Sequence, residues 1–116
     1  MTETKKFVNL TPHPLIIFGP GGERVEIPPS GQVARVAERR EWIGEVNGIP
    51  VYRPVYGPVE GLPDPKEDTV YLVSSLVLSR VRGRDDVLAP DTGAGAVRDE
   101  KGQIIGVKAL LAPPSP

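Results

Sequence analysis

Turn-forming residues recur along the whole chain and limit it to short secondary-structure elements. The 116 residues include 14 prolines and 13 glycines. Proline lacks the backbone donor that a strand interior needs, and glycine favours the left-handed conformations of tight turns. Turns at residues 19–22 and 28–31 separate short segments that are apolar or alternate between polar and apolar residues. This pattern predicts a domain built mainly from short β-strands.

The first half of the chain reads as a series of strands. Residues 5–10, 15–18, 23–27 and 32–36 have strand character, and their connecting turns predict a meander of antiparallel hairpins. The following charged segment, residues 37–43, fits either a short helix or an irregular edge.

A second hairpin is predicted around Asn47-Gly48, which is a strong signal for a two-residue turn. It joins residues 42–46 to 49–53. Residues 55–59 extend the same ribbon, interrupted by Pro54 and Pro58.

The second half of the chain contains the predicted helix. Residues 69–73 form a short apolar run typical of a buried central strand. A helix is predicted at residues 74–82, with Ser74 or Ser75 as its N-cap and Gly83 at its end. Residues 96–98 and 103–110 predict a further hairpin.

The fold class predicted from these elements is α+β. It consists of a mostly antiparallel β-sheet or small barrel with one short helix after the strand at residues 69–73. We expect one β-rich domain at residues 1–111 and a proline-rich tail at 112–116.

Composition excludes several classes of protein. A net charge of -1 with 39% hydrophobic residues fits neither a disordered chain nor a general nucleic-acid binder. The apolar runs are too short to cross a membrane, and no apolar signal core follows the charged N-terminus. These features predict a cytoplasmic protein or one carried in a particle.

Cofactor and environment follow from rare residue types. The chain has no cysteine and one histidine, His13, without carboxylates at metal-ligand spacing. We therefore expect no metal and no cofactor. The many prolines and the single methionine are typical of thermophile proteins, although a high-GC genome produces the same bias.

Asp91-Thr92-Gly93 invites comparison with the active-site motif of aspartic proteases, in which two aspartates from a dimer share a proton. Pro90 stands where an apolar strand residue should lead into that motif. The supporting motif at Ile104-Ile105-Gly106 also follows too soon. The segment therefore favours an Asx-turn in a tight loop.

His13 has a possible catalytic interpretation, with Ser30, Ser74 or Ser75 as nucleophile and Asp91 as the orienting carboxylate. The chain has no Gly-x-Ser-x-Gly elbow to support a hydrolase. A histidine between two prolines more often caps a turn, and it can also contact a ligand without acid–base chemistry.

Arginine is unusually frequent, and its planar fork suits carboxylate and phosphate groups. The common interpretation is a solvated surface paired with nearby acids. The functional alternative is a set of arginines around a small anion, with Trp42 and the three tyrosines available to stack on a base. The arginines in question are Arg35, Arg39, Arg40, Arg53, Arg80, Arg82, Arg84 and Arg98.

Four segments together resemble a family of small proteins encoded by bacteriophages and prophages. They are residues 9–13 (Asn-Leu-Thr-Pro-His), 27–31 (Ile-Pro-Pro-Ser-Gly), 59–63 (Val-Glu-Gly-Leu-Pro) and 97–107. The resemblance covers residues 7–110 and brings no established activity. It implies a phage setting, in which small proteins serve as virion components, inhibitors of host proteins or anti-defence proteins.

The leading hypothesis is a non-enzymatic binding protein, an anti-defence sponge that sequesters a small anionic, nucleotide-derived immune signal. We expect a homo-oligomer and ligand contacts from polar residues on loops of a rigid scaffold. One alternative is a virion or host-protein-interaction component, which a large apolar surface patch would favour. The other is a small hydrolase using Asp91 in a dimer or His13. The predicted ligand-binding residues are Asn9, Thr11, His13, Ser30, Arg35, Arg53, Tyr71, Ser74, Ser75, Asp91, Thr92 and Arg98.

Overall fold

The strand and helix bounds come from a computed structural model, which describes residues 5–114. This part of the chain contains ten strands and one helix. They are β1 Lys6–Asn9, β2 Leu15–Phe18, β3 Arg24–Ile27, β4 Arg35–Val46, β5 Ile49–Glu60, β6 Thr69–Leu72, α1 Ser75–Ser79, β7 Val87–Pro90, β8 Ala96–Arg98, β9 Ile104–Val107 and β10 Leu110–Leu111.

The strands form two four-stranded mixed sheets and one two-stranded ribbon. The first sheet has the order β1-β6-β7-β10, in which β6 pairs in parallel with β1 and β7 while β7 and β10 are antiparallel. The second has the order β3-β2-β9-β8. None of these sheets closes on itself, so the barrel alternative was wrong, whereas the α+β prediction with one short helix is consistent with the fold.

The central strand β6 is buried throughout, as its apolar run predicted. Its side chains alternate between two clusters, as a strand covered on both faces requires. Tyr71, followed by Val73 just after the strand, contributes to one cluster with Leu10, whereas Leu72 contributes to the other with Ile27. β6 therefore lies at the centre of the core, between the two clusters.

Strands β1 and β2 do not form the predicted hairpin with each other. β1 pairs in parallel with β6, in a register that sets Asn9 beside Leu72. β2 instead pairs antiparallel with β3, as predicted, and in parallel with β9. The wholly antiparallel meander was wrong because burial against β6 stabilises β1 more than a local hairpin would.

The charged segment at residues 37–43 is strand, so the helix alternative was wrong there. It lies within β4, which pairs antiparallel with β5 through two irregularities. Asn47 and Gly48 have φ angles of 53° and 80°, the positive values that a type I′ turn requires. That turn imposes cross-strand pairing on residues 37–43 although Ala, Glu and Arg have high helix propensity, because pairing with β5 overrides the local preference. The ribbon extends through Pro54 and Pro58.

Helix α1 is shorter than the predicted 74–82. The Ser74 Oγ accepts a hydrogen bond from the backbone N–H of Val77 at 3.3 Å, so Ser74 is the N-cap. The helix ends at Ser79, well before Gly83, although Leu78 and Val81 are buried as predicted. No helix among residues 5–114 has the length and apolarity to cross a membrane.

A partly buried ion pair ties the loop before β7 to the rest of the domain. The Arg84 guanidinium donates to both Asp86 carboxylate oxygens, at 2.7 and 2.9 Å, and also to the Pro63 carbonyl at 3.0 Å. The hydrogen bond from Arg84 lowers the pKa of Asp86 and raises that of Arg84.

We expect Asp86→Asn to lower the free energy of unfolding at pH 7 by about 2 kcal/mol, because charged hydrogen bonds contribute about 1.5–3 kcal/mol. The folded-state pKa of Asp86 is depressed, so this contribution is present above the unfolded value of about 3.9 and is lost as pH falls through the folded value. Urea denaturation from pH 7 to pH 2 measures the difference. Exposed Asp85→Asn is the control, and an undiminished difference at pH 2 would contradict the assignment.

Candidate functional site

A hydrogen-bonded turn shapes the loop that follows β1. The side chain of Asn9 is 1% exposed, and its Nδ2 donates to the His13 carbonyl at 2.8 Å and the Ile27 carbonyl at 3.1 Å. Its Oδ1 accepts from the backbone N–H and the hydroxyl of Thr11, at 2.9 and 2.7 Å. Asn9 thus fixes residues 11–13 in one conformation and has no donor left for a ligand.

The loop held by Asn9 forms one wall of a pocket. The pocket has a volume of about 370 Å³, within the range of about 300–1,000 Å³ typical of small-molecule sites. Its surface is almost wholly apolar, although some of the residues around it carry a hydroxyl group or an imidazole. The lining residues are Thr11, Pro12, His13, Leu15, Val73, Ser74, Ser75, Pro90 and Thr92.

The position of the pocket follows from the sheet. Strands β1, β6 and β7 are parallel, so their carboxyl ends meet at one edge. Thr11 and His13 follow β1, Ser74 and Ser75 follow β6, and Thr92 follows β7. Open sheets with parallel strands bind ligands in the crevice outside these carboxyl ends.

A second cavity adjoins the pocket, and the two cavities together form a groove. It measures about 250 Å³ and shares Leu15, Pro90 and Thr92 with the pocket. Its far side is formed by Ile104 and Ile105 of β9, which are 44% and 43% exposed. The groove is therefore largely apolar along its whole length, from the end at α1 to the end at β9.

Two side chains that the hydrolase alternatives would use, those of Ser74 and Asp91, form hydrogen bonds with nearby backbone. The Ser74 Oγ caps α1. The Asp91 Oδ1 accepts a hydrogen bond from the Gly93 N–H at 3.0 Å, which is the Asx-turn that the sequence favoured. Each hydrogen bond stabilises the backbone conformation around it.

The predicted arginine and tyrosine ligands lie away from the pocket. Arg35 begins β4 and Arg53 lies on β5, and both are exposed. Tyr71 is 4% exposed in the core and its hydroxyl donates to the Asp64 carbonyl at 3.2 Å. The apolar run at residues 69–73 had already indicated a buried position for Tyr71, whereas the sequence around Arg35 and Arg53 does not show how far their strands lie from the pocket.

Ser30 and Arg98 also have local partners. The Ser30 hydroxyl donates a hydrogen bond to the Gln32 carbonyl and accepts one from the Gln32 backbone N–H. Arg98 donates to the Gly102 carbonyl within the β8–β9 hairpin, at 2.6 Å. Neither residue lines the pocket.

The pocket includes apolar residues that the sequence did not single out. Leu15, Val73 and Pro90 are among its lining residues, yet each resembles an ordinary core or strand-end residue. The sequence could have indicated Val73 and Pro90, because each stands at the end of an apolar run and precedes a polar loop. Across residues 5–114, no three His, Cys, Asp or Glu side chains are grouped as a metal site.

Comparison of the chain with models of protein families, with curated proteins and with solved structures found no match. The case for the site therefore rests on the geometry of this chain.

Proposed function

We propose that the chain is a non-enzymatic binding protein that captures a small, nucleotide-derived ligand in the pocket at the carboxyl ends of β1, β6 and β7. One observation carries the proposal: three loops that are distant in sequence converge there. They bring together Thr11, His13, Ser74, Ser75 and Thr92, five residues that sequence had selected.

The chemistry of the walls suits the nucleoside part of such a ligand. Pro12, Leu15 and Pro90 offer an apolar surface to the faces of a heterocyclic base. The surface of the pocket is almost wholly apolar, so we place the sugar and the base edge at its mouth, near the exposed side chains of His13, Ser75 and Thr92. No arginine is among the residues that line this pocket, so we place the anionic part of the ligand at its solvent-facing mouth.

Binding without chemical conversion of the ligand is supported by the local hydrogen bonds that the Ser74 and Asp91 side chains form. Ser74 and Asp91 are held by the backbone bonds of a helix cap and a turn. His13 is exposed and fixed through its backbone by the Thr11–Asn9 network. Together with the resemblance to phage-encoded proteins, this favours an anti-defence sponge that withholds an immune signal from its receptor.

Blocking the pocket tests the proposal. We expect one member of a panel containing ADP-ribose, cyclic dinucleotides and adenine mononucleotides to raise the melting temperature and to bind in calorimetry. Thr92→Trp, which places an indole in the groove, should weaken that binding at least tenfold, or about 1.4 kcal/mol.

The matched control is Ala94→Trp, an exposed residue of the same loop that does not line the groove. It should bind the same compound as the unmodified protein. Failure of every panel member to bind would refute the proposal for these ligands, and equal binding by both variants would place the ligand elsewhere.

The protein-interaction alternative is also supported by one feature, the exposed apolar surface of the β4–β5 ribbon. Trp42, Val46 and Ile49 are 59%, 61% and 66% exposed. Trp42 pairs with Tyr52, and Val46 pairs with Ile49, three positions earlier on β5, so these side chains lie on opposite faces of the ribbon. Exposed apolar side chains on both faces are compatible with protein contacts. The ribbon shares no residue with the pocket, so ligand capture and protein contact are compatible functions of one chain.

A further inference from the structure

The β4–β5 ribbon, which we name the arm, projects from the rest of the domain. Each of its strands has 12 residues, whereas no other strand in the described chain exceeds four. The molecule measures 57 × 40 × 28 Å, with a radius of gyration of 16.8 Å. A compact domain of this length has a radius of gyration of about 13 Å. The arm therefore exposes most of its two strands to solvent.

The arm lacks the contacts that usually stabilise such a structure. A two-stranded hairpin alone is only marginally stable in water, and three or more strands are normally needed. Within residues 5–114, β4 and β5 pair only with each other. The face that includes Trp42 and its partner Tyr52 is exposed. An additional strand would satisfy the open edge and cover part of this face.

Only one edge of the arm is open to a further strand. Strand β5 contains Pro50, Pro54 and Pro58, and proline on an edge removes the donors that a new strand would need. Strand β4 contains no proline. The edge of β5 is thus protected by proline along its length, whereas β4 keeps a regular, proline-free edge between its two irregularities, at residues 38–42.

The register shows which β4 amides face the open edge. Arg40 lies opposite Pro54. A proline nitrogen in a paired strand is directed away from its neighbour, and opposite residues of an antiparallel pair have the same orientation. The Arg40 N–H therefore points to the open edge, as do those of Glu38 and Trp42, two residues to either side.

The charges of β4 favour a second copy of the same strand. It carries three arginines and three glutamates, so two copies do not repel each other by net charge. The residues are Arg35, Arg39, Arg40, Glu38, Glu41 and Glu45. Antiparallel pairing centred on Arg40 sets Arg39 of one copy opposite Glu41 of the other, a favourable cross-strand pair. In this arrangement Arg40 lies opposite Arg40 of the second copy, at the two-fold axis. Its guanidinium carbon lies 4.2 Å from the centre of the Tyr52 ring, which holds the charge away from that axis.

We infer that the chain forms a two-fold symmetric dimer in which the β4 edges of two copies pair antiparallel. The arms then make one four-stranded sheet with the order β5-β4-β4-β5, whose outer edges are both protected by proline. The partner that this surface fits is a second copy of this chain.

Sedimentation velocity tests the inference on the full chain. We expect a species of about 25 kDa, twice the 12.5 kDa of the monomer, at micromolar concentration. Arg40→Pro removes one outward donor and should weaken association at least tenfold. Arg40→Ala loses the same guanidinium and its stacking on Tyr52 but keeps the N–H, so it should stay within about threefold of the unmodified protein.

Hydrogen exchange of the unmodified protein gives a second test that does not depend on a variant folding. The amides of Glu38, Arg40 and Trp42 should exchange more slowly as protein concentration rises, whereas that of Lys101 in the β8–β9 turn should not change. A monomer at every concentration, a larger assembly, or concentration-independent exchange at these three amides would overturn the inference. So would equal association of Arg40→Pro and Arg40→Ala.

Discussion

Replacing Asn9 with alanine is expected to lower the free energy of unfolding by about 3–4 kcal/mol. The substitution removes four hydrogen bonds and leaves the Ile27 carbonyl and the Thr11 N–H without their partner in a buried place. An unsatisfied buried polar group costs about 1–3 kcal/mol. Urea denaturation followed by circular dichroism measures the change.

Two further variants at this turn separate its donors from its acceptors. Asn9→Asp keeps an acceptor for Thr11 but loses both donors and sets a carboxylate against two carbonyl oxygens. It should be at least as destabilising as Asn9→Ala at pH 7. Thr11→Ser keeps the hydroxyl and should cost less than about 1.5 kcal/mol. An Asn9→Ala protein within 1 kcal/mol of the original would show that the network is not a major source of stability.

Gly61→Ala is expected to destabilise the protein by about 3 kcal/mol or more. Gly61 has a φ of +79°, and a Cβ built there would lie 2.6 Å from the Val33 carbonyl oxygen. A left-handed conformation costs an alanine about 1–2 kcal/mol, and the contact with rigid backbone adds the cost of overpacking, about 1–3 kcal/mol. Thermal and urea denaturation measure the sum.

Gly48→Ala is the matched control for this substitution. Gly48 has nearly the same φ, +80°, but a Cβ there meets nothing within 4 Å. Its cost should therefore be the conformational part alone, about 1–2 kcal/mol. Equal losses at the two positions would mean that the contact with Val33 does not contribute, and that the chain between β5 and β6 adapts freely.

Local signals in the sequence predicted local structure well. Asn47-Gly48 gives the hairpin, Ser74 caps the helix, and the apolar run at residues 69–73 gives the buried strand. Each depends on the conformational preference of one or a few neighbouring residues. The pairing of β1 with β6 depends on a contact more than 60 positions away, for which hydrophobic pattern offers several equivalent choices.

Five of the polar residues predicted to bind a ligand line the candidate pocket, whereas its apolar lining residues were not among those predicted. Thr11, His13, Ser74, Ser75 and Thr92 were selected because they lie on loops, and parallel pairing of β1, β6 and β7 brings those loops together. The arginines were selected for their chemistry alone, and most lie on the arm or on turns. Chemistry identifies what a residue can bind, whereas topology decides whether it reaches the same place as the others.

The central claim is that the pocket at the carboxyl ends of β1, β6 and β7 holds a nucleotide-derived molecule without converting it. Native mass spectrometry tests this directly, on the protein and its Thr92→Trp variant after exposure to lysate of phage-infected bacteria. The account predicts one bound small mass on the unmodified protein, released intact on denaturation and absent from Thr92→Trp. No bound mass, an equal mass on the variant, or a released mass that has been chemically altered would contradict it.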